Sequence, residues 1–325
     1  MNAKVAGVGM YLPEKVLTNF DLEQMVDTSD EWITKRTGIK ERHIAREDEF
    51  ASDMAVIAAK EALEDAGLSA EEIDLILVSS VSSEMITPTI ACLVQKQIGA
   101  TKAAAIDMNS ACTGFVSAMI IAQQFIKSGT YQNILVIGTD TMTKYTDWED
   151  RASCVLFGDG AGAAVVTPCE DGDGILAFDM GADGTKSDVL SIPHLKFSEE
   201  DLARRGGEAK RTFWMDGSEV FKFAVRVMCE AMNCALEKAG MTVGDLDLIV
   251  PHQANIRIVD GAVKRLGIDP EKVFVNIQKT GNMSSACVPL ALCEAIREGK
   301  AKKGDTVGLV GFGGGLTWAS LIMTI

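Results

Sequence analysis

The sequence predicts an α/β protein made of two duplicated halves, and three observations lead there. Ala62 to Ile76 (ALEDAGLSAEEIDLI) aligns without gaps on Ala235 to Ile249 (ALEKAGMTVGDLDLI) at an offset of 173 residues, with eight of fifteen positions identical. Asn133 to Gly138 (NILVIG) falls on Thr306 to Gly311 (TVGLVG) at that same offset, so two separated segments share one register. Within each half, helix-like and buried-strand-like segments alternate, which implies two similar layered sheets related by a pseudo-twofold axis. The halves divide as residues 1–170 and 171–325.

Each repeated unit reads as an amphipathic helix closed by a glycine, Gly67 or Gly240, then a short turn and a continuous apolar run. Those runs, Leu75 to Val78 and Leu248 to Val250, have the character of strands buried on both faces. A second helix extends from about Cys112 to Lys127 and stops at Gly129, followed by a buried strand, Ile134 to Ile137. The nearly uncharged tail from Thr306 to Ile325 is long enough to span a bilayer, but Gly308, Gly311, Gly313, Gly314 and Gly315 instead make it two buried strands joined by a tight turn.

Composition narrows the function. With 47% hydrophobic and 24% charged residues in 325, the chain is long enough to bury its own core without disulfide or metal staples. Thirty-one basic against 46 acidic residues give a net charge of -15, which repels nucleic acid and anionic lipid; an acidic partner would need a local basic patch. The eight cysteines lie singly, with no C-x-x-C and no secretory leader, and the three histidines stand apart. That pattern reads as reduced and cytoplasmic, with no metal site and no membrane span.

The offset makes Ser285 the counterpart of Cys112, and sets Thr280–Ser285 (TGNMSS) on Asp107–Cys112 (DMNSAC), each just before a helix. Equivalent helix starts face each other across a pseudodyad, so Cys112 and Asn282 are expected at one site. His252, just past the strand ending at Val250, would emerge at the same strand edge, where open α/β sheets bind ligands. A thiol at a helix start gains from unpaired N–H groups and the dipole, and such cysteines fall from a pKa of about 8.5 to as low as about 3.5–7.5. Taken singly, Cys112 also reads as a core cysteine, Asn282 as a helix cap and Gly313–Gly315 as a turn; convergence is what favours chemistry.

Four motifs carry a family resemblance: Ser110-Ala-Cys112-Thr-Gly-Phe, Pro251-His-Gln-Ala-Asn255, Gly281-Asn-Met-Ser-Ser-Ala286 and Gly311-Phe-Gly-Gly-Gly315-Leu-Thr-Trp318. With Asp30-Glu-Trp32-Ile, Arg36-Thr-Gly-Ile and Gly158-Asp-Gly-Ala-Gly-Ala163, the chain resembles the 3-oxoacyl-(acyl-carrier-protein) synthase III family of the thiolase superfamily over nearly its whole length. The resemblance implies a thiolase-like fold, with mixed five-stranded sheets in an αβαβα arrangement. It also implies a decarboxylative Claisen condensation: an acyl group passes from coenzyme A to Cys112, then malonyl-acyl-carrier protein loses CO₂ and attacks the thioester.

In that reading His252 and Asn282 stabilise the enolate, and the backbone N–H groups of Cys112 and Gly314 hold the acyl oxygen. No second histidine stands at Asn282, and no second cysteine lies between Cys293 and Ile325, which separates the chain from elongating synthases and from thiolases. Trp32 and Arg151 would sandwich the adenine of coenzyme A while Arg36 meets phosphate. The carrier protein would dock on Gln253, Ala254, Asn255, Ile256, Arg257, Lys264 and Arg265, joined by Lys222 from the helix beginning near Ser218. Thr87, before Pro88, matches a position that in this family lines the acyl pocket, in some members from the partner subunit and with a bulky ring; its small side chain implies a pocket roomier than an acetyl-only site. The family also implies a homodimer, with no cofactor or metal, acyl-CoA and malonyl-acyl-carrier protein being substrates. Two other readings stand beside it: a specialised enzyme of the same fold, and a catalytically silent acyl-CoA or carrier-protein binding module.

Overall fold

The computed structural model describes residues 1–325. Its first sheet has five strands in the order Asn2–Tyr11, Asp159–Cys169, Ile134–Thr141, Leu75–Ser79, Ala104–Met108. Its second has four, in the order Ile175–Ala182, Thr317–Thr324, Thr306–Gly313, Leu248–Pro251. The duplication is written into this order: residue 2 becomes 175 and residue 75 becomes 248 at the offset of 173, and each sheet is parallel at one side and antiparallel at the other. The tail from Thr306 is the expected pair of strands, antiparallel and joined at Gly314–Leu316.

The second sheet departs from the expected five strands. Its fifth position holds a single bridge, Ile249 to Val273. The counterpart of Ala104–Asp107 is a helical turn, Ile277–Thr280, after which Gly281 at φ +64° turns the chain towards Asn282. The strand is given up where the second half must deliver its functional loop.

Helices Gly114–Lys127 and Cys287–Arg297 lie between the two sheets and touch both. Ala51–Ala66 and Ile90–Ile98 cover the outer face of the first sheet, and Gly217–Ala239 and Ile256–Leu266 that of the second. The three inner layers share the largest core, in which Phe115, Val116 and Met119 of one half pack with Val288, Leu292 and Leu321 of the other. The central helices are apolar on most sides because a sheet covers each face, and only their C-terminal turns, with Gln124, Lys127 and Arg297, reach solvent. Close approach depends on missing side chains: a Cβ on Gly162 would stand 2.6 Å from the Leu290 backbone nitrogen.

Candidate active site

Cys112 lies in a 3-10 turn, Ala111–Thr113, that leads into Gly114–Lys127. Ala111 before it is left-handed at φ +46°, which swings the thiol out of the strand direction. The offset counterpart of Ala111 is Ser284, left-handed at φ +51° in the matching turn Ser284–Ala286. The two turns meet across the pseudodyad, where the Cys112 thiol donates to the Ser284 hydroxyl at 3.6 Å.

His252 follows the strand Leu248–Pro251, and its N–H donates to the Val310 carbonyl at 2.8 Å. Its ring packs edge-on to Phe312, and neither ring nitrogen has a protein partner. A Cβ on Gly311 would stand 3.3 Å from the Cys112 carbonyl oxygen and 3.8 Å from the His252 Cβ, so one bare glycine lets the two segments close on each other.

Asn282 is held at both ends. Its N–H donates to Leu156 O at 2.9 Å and its carbonyl accepts from Gly158 N–H at 3.1 Å, which ties it to the Gly158–Ala163 motif. Its Oδ1 accepts from the Ser284 N–H at 2.9 Å and from the Cys287 thiol at 3.7 Å. Oδ1 is thereby the committed acceptor and the Nδ2 donor pair is left without a protein acceptor, which fixes the amide orientation. Cys287 also reaches the Gln253 carbonyl at 3.9 Å, wedging the histidine and asparagine loops together.

The electrostatics follow from burial. Desolvation pushes the Cys112 thiol up to about 12, against the relief supplied by Ser284, and nearby Asp140 adds to the rise. Burial therefore works against the acidic thiol expected from a helix start, and Cys112 sits in a 3-10 turn ahead of the α-helix rather than within its first turn. Burial likewise lowers His252 to about 3, so its imidazole is neutral at physiological pH, able to accept one proton or donate one hydrogen bond.

A cavity of about 1060 Å³ opens over Cys112, Ser284 and Gly314, with Val81, Met142, Ile192 and Phe213 among its apolar walls. His252 and Asn282 are not on those walls; Asn282 joins the site through Ser284, and His252 faces the Cys112 segment across Gly311. Thr87 is a correction within one chain: it is exposed and off the cavity of its own chain, which Met85, Ile86 and Thr89 line instead, so only a pocket of a partner subunit is left for it. Arg151 lies with its guanidinium 4.4 Å from the Trp32 ring centroid, and Arg36 is exposed at the end of the same helix as Trp32.

The docking residues divide. Arg257, Lys264, Arg265 and Lys222 are exposed, on two helices that touch where Arg257 lies over the Phe221 ring. Asn255 caps its helix by accepting from Arg257 N–H at 2.9 Å; Ala254 and Ile256 are half-buried. Gln253 is a second correction. It is fully buried, its amide donating to Pro251 O at 2.9 Å and Phe274 O at 3.1 Å, so it locks the histidine loop and meets no partner.

Three residues went unread in the sequence. Ser284 was signalled by its place one residue before the Cys112 counterpart. Asp140 was not: it is a buried carboxylate whose partners come from Ser80, Val81, Ser82 and Ser285, far away in sequence. Cys287 was one of eight cysteines with nothing to distinguish it.

A half-buried thiol on a cavity wall, a neutral imidazole and an oriented carboxamide at the seam of a duplicated five-layered fold fit a thiolase-fold condensing acyltransferase. Family models described as 3-oxoacyl-(acyl-carrier-protein) synthase III and its C-terminal part match residues 106–184 and 236–325. Beta-ketoacyl-(acyl-carrier-protein) synthase III of Desulfitobacterium hafniense is 52% identical over 319 residues, covering 98% of this chain and 96% of the relative. The crystal structure of the synthase III from Aquifex aeolicus, 50% identical, matches 99% of this chain and 100% of that one with a TM-score of 0.93. The priming beta-ketosynthase of the R1128 polyketide pathway, 40% identical, matches 99% and 96% with a TM-score of 0.92. The chain belongs to the 3-oxoacyl-(acyl-carrier-protein) synthase III family.

Proposed function

We propose that the protein starts fatty-acid synthesis by a decarboxylative Claisen condensation, with Cys112, His252 and Asn282 as the catalytic set. The acyl group of acyl-CoA moves to Cys112 Sγ, and the thiol proton passes by way of neutral His252 to the departing coenzyme A sulfur. Malonyl-acyl-carrier protein then loses CO₂. The enolate oxygen takes hydrogen bonds from His252 Nε2 and Asn282 Nδ2, each such donor being worth on the order of 3 kcal/mol. The carbon nucleophile attacks the acyl carbon, the resulting oxyanion sits on the N–H groups of Cys112 and Gly314, and collapse expels the Cys112 thiolate, which takes up one proton from solvent per turnover.

The observation that carries this reading is the fixed amide of Asn282, whose oxygen is occupied by Ser284 N–H and whose donors stay available beside a neutral histidine. Coenzyme A would bind with adenine between Trp32 and Arg151, replacing their present 4.4 Å contact, and with phosphate on Arg36. Acyl carrier protein would dock on Arg257, Lys264, Arg265 and Lys222. A homodimer in the cytoplasm completes the reading. Its support is the edge strand Ala104–Met108, paired on one side only with Ile106 45% exposed, and the neighbouring Ile86, 82% exposed. In such a dimer Thr87 would serve the partner's acyl pocket.

The test is mass analysis of the Cys112 peptide after incubation with a panel of acyl-CoAs. An acyl adduct is expected on Cys112, with primers longer than acetyl accepted. Cys112→Ala is expected to lose the adduct and keep malonyl decarboxylation, and Asn282→Ala to do the reverse. Loss of the same half-reaction in both variants overturns the division of labour.

A further inference from the structure

The duplicated turns place two left-handed residues face to face, Ala111 ahead of Cys112 and Ser284 ahead of Ser285. In the first half the turn presents a nucleophile. In the second it presents a hydroxyl to that nucleophile, 3.6 Å from the sulfur and 1% exposed. The Ser284 hydroxyl has no other hydrogen-bond partner, whereas Ser285 beside it is engaged twice, by Asp140 at 2.7 Å and Ser79 O at 2.8 Å. Ser284 is thus held by its backbone, through Asn282 Oδ1, with its side chain aimed at Cys112.

Besides Ser284, only the backbone N–H of Cys112 itself favours a thiolate. Asp140 opposes it, Cys287 is a second buried thiol and His252 is neutral. The strands Thr306–Gly313 and Thr317–Thr324 and the first turns of Gly114–Lys127 carry no charged side chain. Glu84, Asp107, Lys144, Tyr145, His194 and Arg211 lie farther along the cavity wall.

We propose that Ser284 is a further residue of the reaction, a hydroxyl that stays on the Cys112 sulfur through both protonation states, accepting from the thiol and donating to the thiolate. This rests on Cys112 being the acyl-carrying nucleophile. Ser284 keeps its own proton throughout; only its O–H direction reverses, while the thiol proton leaves with coenzyme A. A donor to an anionic acceptor is among the stronger hydrogen bonds, and it acts only after the proton has gone, so it favours acylation rather than thiol storage.

The experiment follows iodoacetamide alkylation of the Cys112 peptide between about pH 6.5 and 9.5 in wild type and Ser284→Ala. Alanine is tolerated in this backbone, since Ala111 holds the same conformation in the sister turn. Loss of the hydroxyl is expected to raise the thiol pKa by about one unit. That lowers thiolate tenfold, and because a less acidic sulfur is intrinsically more reactive, alkylation slows about three- to fourfold at each pH. Ser284→Gly, also at ease at φ +51°, is expected to show the same displacement, so the conclusion does not depend on one variant folding. Profiles that superimpose on wild type, or shift towards faster alkylation, overturn the proposal. An acyl adduct found elsewhere than on Cys112 overturns the nucleophile reading separately, because alkylation measures the thiol without substrate.

Discussion

Asp140→Asn is the sharpest probe of what holds the two halves in register at the site. The wild-type carboxylate is fully buried and takes five donors. Oδ1 accepts from Ser80 Oγ at 3.0 Å, Val81 N–H at 2.8 Å and Ser82 Oγ at 2.9 Å; Oδ2 accepts from Ser285 N–H at 2.9 Å and Ser285 Oγ at 2.7 Å. The hydroxyls can turn, Ser285 still having Ser79 O at 2.8 Å, but the backbone donors cannot. Whichever way the asparagine amide points, its NH₂ meets one of the two N–H groups and leaves it unbonded. One orphaned buried donor costs about 1–3 kcal/mol, and Asp140→Ala, which orphans both, about 2–6 kcal/mol. Either orientation disturbs the seam, through Ser285 next to Ser284 or through Val81 on the cavity wall. A displacement of an ångström there costs up to about a hundredfold in rate. Urea unfolding and the condensation rate, measured on both variants, check this. Wild-type stability with full activity in Asp140→Asn would refute the clamp.

His252→Gln should alter how stability depends on pH. The folded value of about 3 lies below the unfolded value near 6.5, so between them the unfolded chain binds the extra proton and the wild type loses stability as pH falls. The slope from this one group approaches 1.4 kcal/mol per pH unit, about the cost of one pKa unit, and the glutamine variant should lack it; equal slopes in urea titrations would contradict a buried neutral imidazole. Charge reversal at Arg257 and Lys264 is expected to raise the carrier-protein KM and flatten its salt dependence, and unchanged values remove the docking assignment. Gly313→Ala would set a Cβ 2.6 Å from the Cys112 nitrogen and is expected to slow acyl-adduct formation at least about tenfold, while Gly184→Ala, with open space around it, serves as the neutral control.

The repeat at one offset made the architecture legible, because a duplicated sheet protein must bring equivalent helix starts together. It placed the Cys112 and Asn282 turns at one seam and set the helix ends at Gly67, Gly129 and Gly240, all left-handed as expected of C-terminal glycines. Burial is what the sequence concealed. Gln253 looked like a surface residue because it is polar and stands before a basic helix, yet three hydrogen bonds turn it inward. Cys112 looked acidic because it precedes a helix, yet desolvation pushes its thiol the other way. Asp140 left no trace, since its partners lie 58 to 145 positions away and its own counterpart at the offset is Gly313.

That concealed term also accounts for the kind of chemistry the seam suits. A thiolate–imidazolium pair would place two charges in the pocket before any substrate arrived, and a malonyl carboxylate would gain from staying ionised beside the cation. Burial instead favours a neutral thiol and a neutral imidazole. In the proposed mechanism the incoming carboxylate then finds no cation among Cys112, His252 and Asn282, and loss of CO₂ would move its charge onto an enolate oxygen within reach of two neutral donors. Under that proposal the same desolvation that makes Cys112 a poor acid would favour the decarboxylation, so the first half-reaction would need help at the sulfur that the second does not. A hydroxyl at 3.6 Å from Sγ is the group on hand to supply it.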